Sequence, residues 1–484
     1  MADPTHQHPQ YTPPDIIRHA AAAEQEMISF AAGLTSGLVR RDATKCLSDG
    51  TCADGSCCNV HGTCGYGPAN CGVGNCTGST CGATAMCGKD SKGGKVKCGM
   101  NLCCSATGWC GTSELYCVNG DPVHNTLPCQ SGFGSCEVKT GRTCGLGSGS
   151  SSGRTIGYYQ GSNTRDRWCN NIFPSDIVSD GYTHLYYAFA SIDPNSYSII
   201  PATAADIPLY TEFTALKSRG LETWIAVGGF DFSDPGPTHE TWSKVCSSSA
   251  NRGAFIKSLL DFMSKYGFQG VDLDWEYPVA PERGGHEDDS KNFVLLVQEM
   301  RAAFGTKYGI SLTLAPDYWY LRYFDAKAME SSVDFFGFMA YDLHGPWDIT
   351  QKTITPVVRG QADIREIAND TLPLWFDELD PSKINFGVAL YGRGFTLSDP
   401  SCNTLGCPFS GASKPGPCTH QAGAMGLTEI KELIKKKNLT PQLLPDALMM
   451  EITWEDQWIG YDDERTIARK KAWADDQCFG GTMA

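Results

Sequence analysis

Gly270-Val-Asp-Leu-Asp-Trp-Glu-Tyr-Pro278 is the stretch on which the fold of this 484-residue chain turns. Side chains alternate along a strand, so Asp272, Asp274 and Glu276 share one face while Val271, Leu273 and Trp275 share the other. A short strand with one acidic and one apolar face fits a barrel, its acids pointing inward and its apolar side packed under helices. Seven further β-rich runs flank it, at 155–159, 183–189, 222–230, 309–316, 334–342, 383–392 and 480–484. Helical periodicity fills several gaps: 250–268 lines up Phe255, Leu259, Phe262 and Met263, and 291–304 lines up Phe293, Leu296, Val297 and Met300. Eight such alternations predict an α/β fold, a (β/α)8 TIM barrel over 154–484. The longest gap, between the seventh and eighth runs, predicts an inserted subdomain at about 393–458. Three carboxylates in a file repel one another unless some keep their protons, which suits general acid chemistry. Glu276 is nearest the strand's C-terminal end, where barrel active sites are built. Calcium and magnesium sites also gather carboxylates, but in loops rich in Asn and Gly. No metal and no cofactor are therefore expected.

Composition narrows the partners. Lys and Arg number 39 against 54 Asp and Glu, a net charge of −15. That balance disfavours nucleic acid and anionic membranes, which attract basic patches. No run approaches the ~20 apolar residues of a membrane span. Of the 23 cysteines, 17 fall between Cys46 and Cys144. Such density marks small disulfide-stapled modules made for an oxidising compartment, hence a secreted protein, extracellular or in a cell wall. Zinc is disfavoured because C-x2-C spacing is absent. No secretory signal is readable at the given N-terminus. Residues 1–26 are polar, and the apolar run 27–39 follows Glu24 and Glu26. Residues 1–42 are expected to lie outside the fold, or to reflect a misplaced start.

Two cysteine units share one register. The first places Cys46, Cys52, Cys57, Cys58, Cys64 and Cys71; the second places Cys87, Cys98, Cys103, Cys104, Cys110 and Cys117. Their common C-x4-CC-x5-C-x6-C core resembles the hevein-type chitin-binding domain, a scaffold too small to hold without disulfides. The resemblance implies units at 43–86 and 87–145. It also implies a binding face of one serine and several aromatics, stacked on N-acetylglucosamine rings. Ser105, Trp109 and Tyr116 occupy those positions in the second unit, with Thr107 where another aromatic would stand. Asn59, His61, Thr63 and Asn70 occupy them in the first, which is therefore expected to keep the scaffold without the function. Core packing is the competing reading of Trp109 and Tyr116, set aside because so small a domain has little core. Residues 146–153, rich in Gly and Ser, read as a flexible linker.

The quoted strand itself resembles the D-x-x-D-x-D-x-E signature of glycoside hydrolase family 18, the retaining chitinases, with Gln269 at the first acidic position. Trp224-Ile-Ala-Val-Gly-Gly229 resembles the family's third-strand motif, with Ala226 replacing a serine. Phe338-Met-Ala-Tyr-Asp342 and Tyr391-Gly-Arg393 resemble its sixth- and seventh-strand motifs. The whole layout resembles a fungal modular chitinase, related to killer-toxin chitinase subunits. The resemblance implies a substrate-assisted mechanism, with Glu276 as acid and base, Asp274 orienting the acetamide, Asp272 tuning Asp274, and Tyr341 donating to the acetamide carbonyl. It implies substrate contacts from Tyr158, Phe189, Gly229, Met339, Asp342 and Arg393; Trp319 and Trp347 are added as stacking candidates. The implied partner is chitin or its oligomers, bound by a monomer, with a toxin partner chain as a further possibility. Alternatives are a chitin lectin with an impaired barrel and a chitinase-like toxin subunit. The family pattern continues past strand eight with a tryptophan and a helix. Ending at Phe479-Gly-Gly-Thr-Met-Ala484, the barrel is therefore expected to be cut short in that strand.

Overall fold

The computed structural model describes residues 45–52, 55–117, 128–145, 147–351 and 354–484. The reading of residues 1–42 lies outside this range. The described residues form two compact units, one centred on the first cysteine module and the other running from Ala85 through the barrel. No helix among them is long and apolar enough to cross a membrane.

Eight parallel strands close the barrel: β1 (Arg154–Gln160), β2 (His184–Ile192), β3 (Glu222–Gly228), β4 (Gly270–Asp274), β5 (Gly309–Leu314), β6 (Phe335–Phe338), β7 (Ile384–Gly387) and β8 (Gly481–Met483). Each pairs with its chain neighbours, and β8 pairs with both β7 and β1, so the ring is complete. Three residues of β8 are enough to close the ring, since Gly481 and Met483 find partners on both sides. Flanking helices hold the outer layer. In α1 (Ser249–Tyr266) the Ser248 side chain accepts from the Asn251 N–H at the start, and Gly267 ends the helix at φ 84. Its Phe255, Leu259 and Met263 are fully buried, as are Leu296, Val297 and Met300 of α2 (Asp289–Phe304). Trp275 leaves β4 outward and stacks on Trp242, with centroids 5.8 Å apart.

The floor of the barrel is an aromatic stack of Tyr186, Trp224 and Phe335. A Cβ on Gly270 or Gly309 would stand 2.4 or 2.1 Å from the Trp224 ring, so only glycine admits the indole there. Gln269 accepts from the Thr223 N–H and pins this lower rim, far from Glu276. The inserted subdomain spans strands Tyr391–Leu397 to Gln457–Tyr461, an antiparallel sheet with one helix, Leu427–Lys437. Its edges lie two to three residues outside the expected 393–458.

All cysteines but the buried Cys246 are paired. The two modules use one pairing order: Cys46–Cys58, Cys52–Cys64 and Cys57–Cys71, against Cys87–Cys104, Cys98–Cys110 and Cys103–Cys117. The second module does not hang on a free linker. Its Met100 and Leu102 belong to the same buried core as the barrel. Asn101 donates to the Phe376 carbonyl, and Tyr318 of α3 (Tyr318–Leu321) donates its hydroxyl to the Gly99 carbonyl at 3.2 Å. Gly99 is required, because a Cβ would lie 2.5 Å from the Arg322 carbonyl oxygen. Beyond the module, Cys144 is bonded to Cys478 at the end of α4 (Glu464–Asp476). Ser148 and Ser151 donate their hydroxyls to the Asp475 and Lys471 carbonyls. The expected flexible linker is thus fastened along α4, its serine hydroxyls adding a second donor to carbonyls of the last helical turns.

Candidate active site

Strand register assembles the site. Asp272 stands beside Ala226 of β3 and Ser311 of β5, and Asp274 beside Gly228. Ala226 keeps this layer free of a competing side chain. Asp272 accepts from the Tyr158 hydroxyl at 2.8 Å and from Ser311 at 2.6 Å, so both oxygens are engaged. Tyr186 extends the chain through Ser311 at 3.1 Å. One step higher, Asp274 accepts from Thr313 at 2.7 Å. Glu276 lies just past the strand end, its carbonyl held by the Arg283 Nε at 3.0 Å. Arg283 also donates to Phe230 and Asp234 and covers the Phe230 ring, so it ties the turn carrying Glu276 to the loop after β3.

Burial governs the protonation of this file. It pushes the Asp272 carboxyl up to about 6, against the hydrogen bonds from Ser311 and Tyr158. Asp274 is pushed well above the usual carboxylate range by burial, then by the charges of Glu276 and Asp272. Glu276 rises to about 7 through burial, with Tyr277 and Arg283 opposing. A carboxyl poised near neutrality can give a proton and take one back. The Tyr341 hydroxyl is raised well above its ordinary value by burial and by the same acids, which keeps it a donor. Gly387 makes room for it, since a Cβ there would meet the Tyr341 ring at 2.8 Å.

The remaining expected residues divide. Arg393 grips Asp342 with two bonds of 2.8 and 2.7 Å and lies 5.0 Å from the Trp347 centroid. Phe189 packs over Gly229, which adopts φ +85, and Met339 is buried within the sixth-strand motif. Trp347 is 39% exposed, with the Arg393 guanidinium over its ring, and one face of Trp319 is taken by the Arg322 guanidinium at 3.9 Å. In the second module Tyr116 is partly exposed, while Trp109 and Ser105 are turned inward. Trp109 is only 9% exposed, and Ser105 is a buried turn staple that accepts the Trp109 N–H. The Tyr116 ring lies against Gly111. A small module has few large apolar groups, and folding one inward is favourable; core packing is what the structure shows for Trp109. Asn59 does the Ser105 task in the first module, accepting from the Thr63 N–H and donating to Asn70.

Sequence reasoning missed Ser311, Thr313 and Arg283. The first two alternate with Ile310, Leu312 and Leu314, so a polar period of two inside the fifth run was the available signal. Arg283, seven residues after Glu276, carried none.

Comparison with known proteins agrees with this geometry. The family model for glycosyl hydrolases family 18 matches residues 154–484. Chitotriosidase-1 of Mus musculus is 31% identical over 327 residues, covering 64% of this chain and 68% of that protein. The killer toxin subunits alpha/beta of Kluyveromyces lactis are 29% identical over 331 residues, covering 67% of this chain but only 27% of theirs. Among solved structures, catalytic domain 2 of the Ostrinia furnacalis Group II chitinase is 28% identical, with a TM-score of 0.62 over 68% of this chain and 88% of that one.

Proposed function

The chain belongs to family 18 of the glycosyl hydrolases, and from that premise we propose that it hydrolyses the β-1,4 bonds of chitin with the substrate's own acetamide as nucleophile. The observation that carries the reading is the file of inward carboxylates ending in Glu276 at about 7. Glu276 donates its proton to the glycosidic oxygen as that bond to the anomeric carbon breaks. The acetamide oxygen attacks the same carbon and forms an oxazolinium ion. Asp274 accepts from the acetamide N–H and balances the developing positive charge, while Tyr341 donates to the acetamide oxygen. Glu276 then takes a proton from the water that opens the ring, and the anomeric configuration is retained. Asp272, held by Tyr158 and Ser311, keeps negative charge below Asp274 and favours proton retention above it. The Arg393–Asp342 pair and Trp347 line the sugar path.

The cysteine modules are read as hevein-type scaffolds, and the eleven disulfides support export to an oxidising compartment. A second reading, a chitinase-like toxin subunit, draws on the likeness to the killer toxin subunits; a co-purifying partner chain would favour it.

The acetamide requirement is the sharpest test. A soluble chitin pentamer should be cleaved, and its fully deacetylated counterpart should turn over at least about a thousandfold more slowly. Comparable rates on both would remove the acetamide nucleophile from the account.

A further inference from the structure

Trp168 is the most conspicuous aromatic outside the acidic file. It is 74% exposed, yet it is not loose. Its ring stacks on His420 with centroids 3.9 Å apart and planes 16° from parallel. Its backbone N–H donates to the Cys418 carbonyl, and the next residue, Cys169, is disulfide-bonded to Cys418. His420, two residues further on, is held by its N–H on the Gly416 carbonyl and adopts φ 51, a conformation that non-glycine residues seldom take. On the other side of Trp168, Arg167 reaches the buried Glu429, which in turn accepts from the Cys418 and Thr419 N–H groups. Two loops are therefore cross-linked so that one indole face is backed by an imidazole and the rest is left open to solvent.

The location matters as much as the rigidity. Trp168 lies in the segment that leaves the C-terminal end of β1. His420 lies in the subdomain inserted after β7. The C-terminal ends of parallel barrel strands share one rim, and Glu276 opens on that rim beyond β4. A flat aromatic held without side-chain freedom on this rim suits the apolar face of a pyranose ring, because the ordering entropy is spent during folding and not on binding.

We propose that Trp168, backed by His420, is a sugar-stacking platform that holds an N-acetylglucosamine ring of a long chain, away from the residues that touch the scissile bond. The platform rests on the chitin-hydrolase reading above, and it separates long substrates from short ones. An oligomer too short to span from Glu276 to the platform gains nothing from it.

Binding is measured in the Glu276→Gln background, where no substrate is consumed, with a chitin trimer and a chitin hexamer as probes. Trp168→Ala is expected to weaken hexamer binding about tenfold and leave trimer binding within twofold. Trp168→Phe, which keeps a flat ring, should restore most of the hexamer affinity, and His420→Ala should fall between. Hexamer affinity unchanged by Trp168→Ala, with trimer binding intact, would overturn the platform alone. A loss in Trp168→Phe equal to that in Trp168→Ala would also overturn it, since stacking would not be the cause. Failure of the background protein to bind either oligomer would overturn the platform together with the function it rests on.

Discussion

Glu276→Gln is expected to lower turnover of a soluble chitin hexamer by about 10²- to 10⁴-fold, the range a positioned general acid supplies, while hexamer binding stays within about threefold. The substitution keeps shape and one hydrogen-bonding oxygen and removes only the transferable proton. The same variant should reveal what the buried carboxyl does to stability. Glu276 titrates near 7 in the fold because burial disfavours its charged form. Below the usual glutamate range it is neutral both folded and unfolded, and its side chain then resembles glutamine. As pH rises toward 7 the unfolded chain ionises first, so stability falls until the folded carboxyl ionises as well. The variant should therefore melt close to the parent at pH 4 and above it at pH 8. The shift corresponds to roughly 3 kcal/mol at most. Turnover within tenfold of the parent, or a melting difference that shrinks with rising pH, would contradict the assignment.

The second large effect concerns the fastening of the second cysteine module. Replacing Cys144 and Cys478 together by serine should destabilise the unit by about 2–4 kcal/mol, as loss of a long-range cross-link typically does. The bond joins positions 334 residues apart and closes the module's exit onto α4. Ser148 and Ser151 should then lose their anchorage on α4, and limited proteolysis should cut near them where the parent resists. An unchanged melting temperature with no new cleavage would show that the packing of Met100 and Leu102 suffices alone. Hydrolysis of short soluble oligomers should persist at low temperature, because none of the acidic file touches this seam.

The contrast between these two regions explains what was legible in the chain. The phase of β4 was readable because a strand repeats every two residues, and a single stretch states which side chains share a face. All eight strands fall within the runs seen in the sequence or overlap them closely. Asp272, Asp274, Glu276 and Tyr341 converge because parallel register brings strand ends to one rim. Partners across the barrel were harder. Nothing local to Asp272 names Ser311 or Tyr158, and Arg283 lies on a loop without periodicity. Exposure was harder still: Trp109 and Trp168 are both tryptophans beside a cysteine in loop-like sequence, yet one is buried and the other open. The Gly- and Ser-rich stretch after Cys144 has a linker's composition, but the side chains that make it soluble also bond to carbonyls once α4 lies alongside.

The most direct measurement of the central claim is the anomeric form of the first product. Proton NMR of a soluble chitin oligomer, recorded before mutarotation, should show the new reducing end as the β-anomer, formed by acetamide attack and water entry from the original face. An α-anomer as first product would contradict the retaining route, and an oligomer left intact by the parent protein would contradict the activity itself.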